Sequence, residues 1–199
     1  MNWNFPLYAI AYPLNVLFAI WLALTIWQRS RTRSGKVFSA FLLLVAIWTF
    51  LRMMETILLP MPEKLFWARL QYIPIVGSGP VWLQFCYEHQ NQRKLSTPGL
   101  GLLWTIPALT LAFLFNPQTT FLIWSKISPP SIPGLQVLLY EHGPWFWVIV
   151  IYTYLLILFG AWILLQGRRD TQSIFRKQAL ALLNRSEEHT SELQSRQVI

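Results

Sequence analysis

Three ionisable side chains stand inside long apolar stretches: Arg52 and Glu55 within Val37 to Leu59, and Arg69 within Leu65 to Tyr87. A charge left facing lipid near the middle of a helix costs about 2.5–3.5 kcal/mol, so each is expected to face protein or water and to hold a partner. Arg52 and Glu55 are three residues apart and share one face of a helix. Glu55 lies four residues before the end of its stretch and Arg69 four residues into the next. A tight hairpin through Pro60 to Lys64 would bring them to equal depth. The expectation is a Glu55–Arg69 ion pair with Arg52 one turn deeper. Two roles stay open for this polar cluster: sensing a ligand or a rearrangement, or gluing helices together.

Other residue types that could carry chemistry are thinner on the chain. Pro74, Gly77, Gly79 and Pro80 fall in one stretch. The prolines remove two ladder donors and the glycines permit close backbone approach, so a kink or partial unwinding is expected there. A broken helix of this kind lines a cavity or acts as a hinge in some membrane proteins and is merely tolerated in others. His89 follows Glu88 and His142 follows Glu141. With no second His or Cys at ligand spacing, both read as interfacial residues and no metal site is expected. The sequence holds no P-loop, nucleotide glycine motif, catalytic triad or HExxH, so no catalytic residue is assigned. Aromatic residues make up 16% of the chain, eleven of them Trp. The last apolar stretch nevertheless lacks a lysine for a Schiff base, and no His lies mid-span for haem. No cofactor is expected.

The elements that must position these residues follow from composition. Of 199 residues 54% are hydrophobic and only 12% charged, with mean hydropathy +0.41, which places the chain among membrane proteins. The apolar residues come in five blocks: Phe5 to Trp27, Val37 to Leu59, Leu65 to Tyr87, Gly99 to Phe115 and Pro144 to Gln166. Most reach the ~30 Å of hydrocarbon at 1.5 Å per residue. Backbone amides in lipid must be satisfied within their own segment, so the fold class is all-α, a polytopic transmembrane helix bundle with five spans. Residues 1–6 carry no basic side chain and no cleavage pattern follows the first block, so it is a span and not a signal peptide. Cys86, the one cysteine, lies inside a block and forms no disulfide framework.

Orientation comes from the connections. Arg29, Arg31, Arg33 and Lys36 follow the first block, Arg93 and Lys94 the third, and Arg168, Arg169, Arg176 and Lys177 the fifth; the other connections hold only Lys64 and Lys126. Ten cations against two put the N-terminus outside and the C-terminus in the cytoplasm. Trp3, Trp67, Trp145 and Trp147 then sit near the outer interface and Trp27 near the inner one. The net charge of +8 reports this topology; the basic residues form short clusters between apolar blocks, so no nucleic-acid partner is expected. The long connection from Asn116 to Gly143 has Pro129, Pro130, Pro133 and Gly134 in its middle. It is an outer loop, either a binding element or a spacer.

Several pieces in fixed order carry a family likeness. Trp48 and Glu55 are followed by Trp67, Arg69, Tyr72 and Trp82-Leu83-x-Phe85, then by Ile106-Pro107, Leu109-Thr110 and Ile123-Trp124. Gly143-Pro144-Trp145-Phe146-Trp147 runs into Tyr152-x-Tyr154-Leu155-Leu156, and the series ends at Phe175-Arg176-Lys177-Gln178-Ala179. From about Leu7 to Leu183 the chain thus resembles the seven-helix N-terminal membrane region of bacterial and archaeal sensor histidine kinases. The resemblance implies a sensory input module in the plasma membrane and brings Tyr72 into the cluster of Arg52, Glu55 and Arg69. It also implies two further helices after Asn184, then cytoplasmic signalling domains. A homodimer of the full-length protein and a response regulator engaged through the kinase domain follow in the same way. The chain itself is then not an enzyme. The alternative is a small transporter or accessory membrane subunit, for which the buried charges would mark a substrate path, although the halves show no repeat.

Arg185 to Ser195 reads RSEEHTSELQS and resembles, residue for residue, the translation of a common sequencing adapter. Residues 1–184 are therefore read as a partial sensor region and 185–199 as an artefact.

Overall fold

Apolar helices of this length satisfy their own backbones, and the computed structural model, which describes residues 11–57, 61–128 and 138–167, is built from them. In chain order come α1 (Ala11–Arg29), α2 (Arg33–Ile57), α3 (Met61–Asn91) and α4 (Thr97–Phe115). A single 3-10 turn (Thr120–Leu122) and two strands, β1 (Trp124–Ser128) and β2 (Leu139–His142), follow. The last described element is α5 (Pro144–Gly167). Pro129 to Gly134, the Phe175–Ala179 motif, the basic residues from Arg168 onward and the adapter-like segment lie outside the described residues.

Two expectations change. The fold is helical, but the long connection is not only loop: β1 and β2 pair antiparallel, with Lys126 opposite Glu141, Ile127 opposite Tyr140, and an irregularity between Trp124 and Lys126. The five helices are present, yet four of them, α1, α2, α4 and α5, are long and apolar enough to cross a membrane by length and composition. α3 is the longest at 31 residues and carries Glu63, Lys64, Arg69, Glu88 and His89. The reason is its place in the bundle. α3 packs against α2, α4 and α5, so Lys64, Gln71 and Glu88 are buried among protein atoms where lipid does not reach them.

α3 also runs as one helix from Met61 to Asn91 with Pro74 and Pro80 inside it, so of the kink or partial unwinding expected there, the unwinding does not occur. Each proline still removes an i→i−4 bond, to Leu70 and Val76 respectively, and Ser78 Oγ donates to the Ile75 carbonyl at 2.7 Å. Close approach comes from small residues. Ser39 Oγ donates to the Ala23 carbonyl at 2.6 Å, joining α2 to α1 at a fully buried alanine. A Cβ on Gly79 would lie 3.3 Å from Leu156 of α5. One on Gly160 would lie 2.7 Å from Trp82 Nε1 and 3.0 Å from Cys86 Sγ.

Trp82 Nε1 donates to the Ile157 carbonyl at 3.2 Å, a contact that depends on the missing side chain of Gly160. Gly160→Val is therefore expected to cost about 1–3 kcal/mol through overpacking, read by denaturant unfolding in detergent micelles. An unchanged midpoint would mean that α3 and α5 do not approach this closely. Faces turned away from the bundle, such as Leu14, Leu17, Phe18 and Trp21 of α1 and Leu155, Leu158 and Trp162 of α5, are exposed apolar surface of the kind a bilayer covers.

Candidate functional site

The charge cluster is built where α2 ends, α3 begins and the hairpin folds back. Glu55 is buried to 2% exposure, and its carboxylate accepts three side-chain hydrogen bonds. Arg52 Nη1 donates at 2.8 Å from one turn earlier on α2. Gln71 Nε2 of α3 donates to the same oxygen at 2.6 Å, and the Tyr140 hydroxyl of β2 donates to the other at 2.9 Å. Lys64 Nζ donates to the Glu55 backbone carbonyl at 3.0 Å. One carboxylate thus ties α2, α3 and the hairpin together.

Arg69 is not part of that knot, contrary to the ion pair expected from depth. Its partly buried side chain places Nε out of solvent with no acceptor among the described residues, and the carboxylate it was expected to hold is taken by Arg52 and Gln71. The physical reason is rotation around α3. Gln71 is two residues from Arg69, about 200° around the helix, so equal depth does not give equal facing.

Tyr72, by contrast, sits next to the knot through aromatic contacts. Trp124 Nε1 donates to the Tyr72 hydroxyl at 3.0 Å and its ring meets Tyr72 edge-on at 5.5 Å. The other side of the indole stacks on Tyr140 at 5.1 Å. Around them Ala68, Val76, Leu114, Ile123 and Ile149 complete a buried cluster. Gly143 closes this end: its N–H donates to the Ile123 carbonyl at 2.9 Å, and a Cβ there would lie 2.3 Å from the Leu122 carbonyl. Trp124 enters the sequence reading only through the family likeness and Tyr140 not at all, because neither is charged and both lie in the long connection.

Tyr140 gives the site a pH dependence. Burial, and then the Glu55 carboxylate beside it, hold its phenol well above the ordinary value of 10.0. Below that value the phenol is protonated folded or unfolded and its bond to Glu55 is kept. Above it the unfolded phenol ionises first, so stability falls as pH rises past 10. Alkaline unfolding followed by tyrosinate absorbance should show this loss, and Tyr140→Phe should lessen it. An identical profile in the two chains would exclude Tyr140 as its source.

The other residues that the sequence brings forward lie elsewhere. Pro74 and Ser78, with Leu44 and Trp48 of α2 and Ile157 of α5, line an apolar cavity of about 530 Å³. Gly77 faces Leu44 and Trp104, and Gly79 and Pro80 are buried. His142 stacks on Phe146 at 3.6 Å and His89 packs near Phe85 at 5.5 Å. At the far end of the α2–α3 pair, buried Glu88 accepts from Arg33 Nε at 3.0 Å and from Gln84 at 2.9 Å.

A family model described as the N-terminal 7TM region of histidine kinase matches residues 13–184. No curated protein and no solved structure gives a significant match.

Proposed function

Because the chain belongs to the family of histidine kinase N-terminal 7TM regions, a multi-pass, non-catalytic membrane input region, we propose that it senses a signal through the Glu55 knot and passes it on by moving α2 against α3. The observation that carries this reading is that one buried carboxylate joins both helices to the hairpin. A second carboxylate, Glu88, joins the same two helices at their other end. Between the knots lie the Pro74 stretch and the apolar cavity. A ligand that strengthens or weakens a bond to Glu55 changes the balance between two arrangements of α2 and α3.

The rest of the proposal is topological. α3 crosses as a fifth span shielded by its neighbours, the N-terminus lies outside, and ten cations against two favour that orientation in a plasma membrane. The output is a kinase domain encoded after residue 184, acting as a homodimer on a response regulator. The family match stops at residue 184, immediately before the adapter-like residues, which supports reading 185–199 as foreign.

Long-read sequencing of the locus tests this. The frame is expected to continue from codon 184 into two more apolar helices and a kinase core. Genomic DNA that encodes RSEEHTSELQS and then a stop would overturn the input-module reading in favour of a small transporter or accessory membrane subunit.

A further inference from the structure

A second cavity of about 260 Å³ lies between α1 and α2. Tyr12 and Asn15 of α1 and Trp48, Thr49 and Arg52 of α2 line it. Arg52 therefore has two faces: Nη1 donates to Glu55 at 2.8 Å, while 32% of its side chain remains exposed. A guanidinium has five N–H donors in a planar fork, and among the described residues Glu55 takes one of them. The Asn15 amide and Tyr12 hydroxyl add neutral hydrogen-bonding groups, and the Trp48 indole supplies an apolar wall.

Charge balance points the same way. The bundle end that holds this cavity has Arg52, Lys64 and Arg69 around the single buried carboxylate of Glu55, and among the described residues Arg69 Nε has no acceptor. Glu141 is paired with Lys126 at 3.3 Å, and Glu63 is exposed. The surplus is positive. The volume is below the ~300–1000 Å³ of pockets for drug-sized ligands, so the occupant is small.

We propose that this cavity binds an oxyanion, a carboxylate or phosphate group, on the free donors of Arg52. The proposal rests on the sensory reading above and names the ligand chemistry of that site. An oxyanion accepting two parallel N–H bonds from Arg52 competes with Glu55 for the same guanidinium. Binding then loosens the Arg52–Glu55 bond and shifts the carboxylate on which Gln71 and Tyr140 depend. The group belongs either to a soluble small molecule or to an anionic lipid headgroup.

Charge-selective labelling tests this on the whole chain. Cys86→Ala removes the one native thiol, and Asn15→Cys places one in the cavity wall; Ala11→Cys, at the rim, serves where Asn15→Cys does not fold. In phosphatidylcholine nanodiscs, an anionic sulfonatoethyl methanethiosulfonate is expected to react about tenfold faster than its trimethylammonioethyl counterpart, relative to the ratio for free cysteine. Arg52→Gln should abolish that preference. Added succinate slowing the reaction would identify a soluble anion, and phosphatidylglycerol in the disc doing so would identify a headgroup. A preference that survives Arg52→Gln at both positions, or a rate that neither succinate nor phosphatidylglycerol alters, overturns the oxyanion site. The sensory reading fails separately, on the genomic sequence.

Discussion

Glu55→Leu is expected to remove about 3 kcal/mol of stability, the lower end of the cost of breaking a buried ion pair by deleting one partner, since Arg52 is 32% exposed and keeps part of its solvation. The change strands three donors together: Arg52, Gln71 and Tyr140 all lose their acceptor. Hydrogen bonds between helices in a bilayer average ~0.6 kcal/mol, so the two neutral donors together contribute little more than about 1 kcal/mol. The larger part is the guanidinium of Arg52, left with no counter-charge. Glu55→Gln keeps an acceptor for one or two donors and should fall between Glu55→Leu and the unaltered chain. Denaturant unfolding in micelles orders the three. A double-mutant cycle adds a sharper test, with coupling of about 0.5–3 kcal/mol expected between Arg52 and Glu55 and none between Arg69 and Glu55. Stronger coupling to Arg69 would restore the pairing that depth alone suggests and would put the structure's Glu55 knot in error.

That contrast shows where sequence reasoning works and where it stops. The five helices were legible because apolar runs of this length have one stable conformation in lipid, and where their limits fall among the described residues they moved by only a few residues, as when α4 starts at Thr97 behind the Ser96 cap. Glu55 as the residue needing partners was legible for the same reason: burying it alone is too costly. The identity of those partners was not, because depth follows from counting residues whereas facing depends on how α2 and α3 are rotated against each other. The unbroken course of α3 through Pro74 and Pro80 was also hidden, since a proline inside a helix locally favours a kink or a break and only the packing around it decides the outcome. The hairpin was hidden for another reason. Trp124–Ser128 and Leu139–His142 are short, and two strands alone are marginal in water, so their pairing depends on docking against the bundle, which no local pattern announces.

Trp124 is the residue that docks them, and Trp124→Ala is expected to cost about 3–5 kcal/mol, the usual range for truncating a buried Trp. Its side chain is 4% exposed and performs three tasks at once: it stacks on Tyr140, packs edge-on to Tyr72 and donates to the Tyr72 hydroxyl. Trp124→Phe keeps a ring and loses the donor, so about 0.5–1.5 kcal/mol is expected for it. The pattern of loss matters more than its size. With the indole gone, Tyr140 is no longer held over Glu55 from behind, and the knot keeps its α2 and α3 members while releasing the hairpin. Hydrogen exchange should therefore rise across residues 124–128 and 139–142 in Trp124→Ala, while the α2–α3 core stays protected. Uniform loss of protection would mean that the hairpin is one cooperative unit with the bundle. In that case it could not report a signal by letting go of Glu55, and the input would have to enter through the helices themselves.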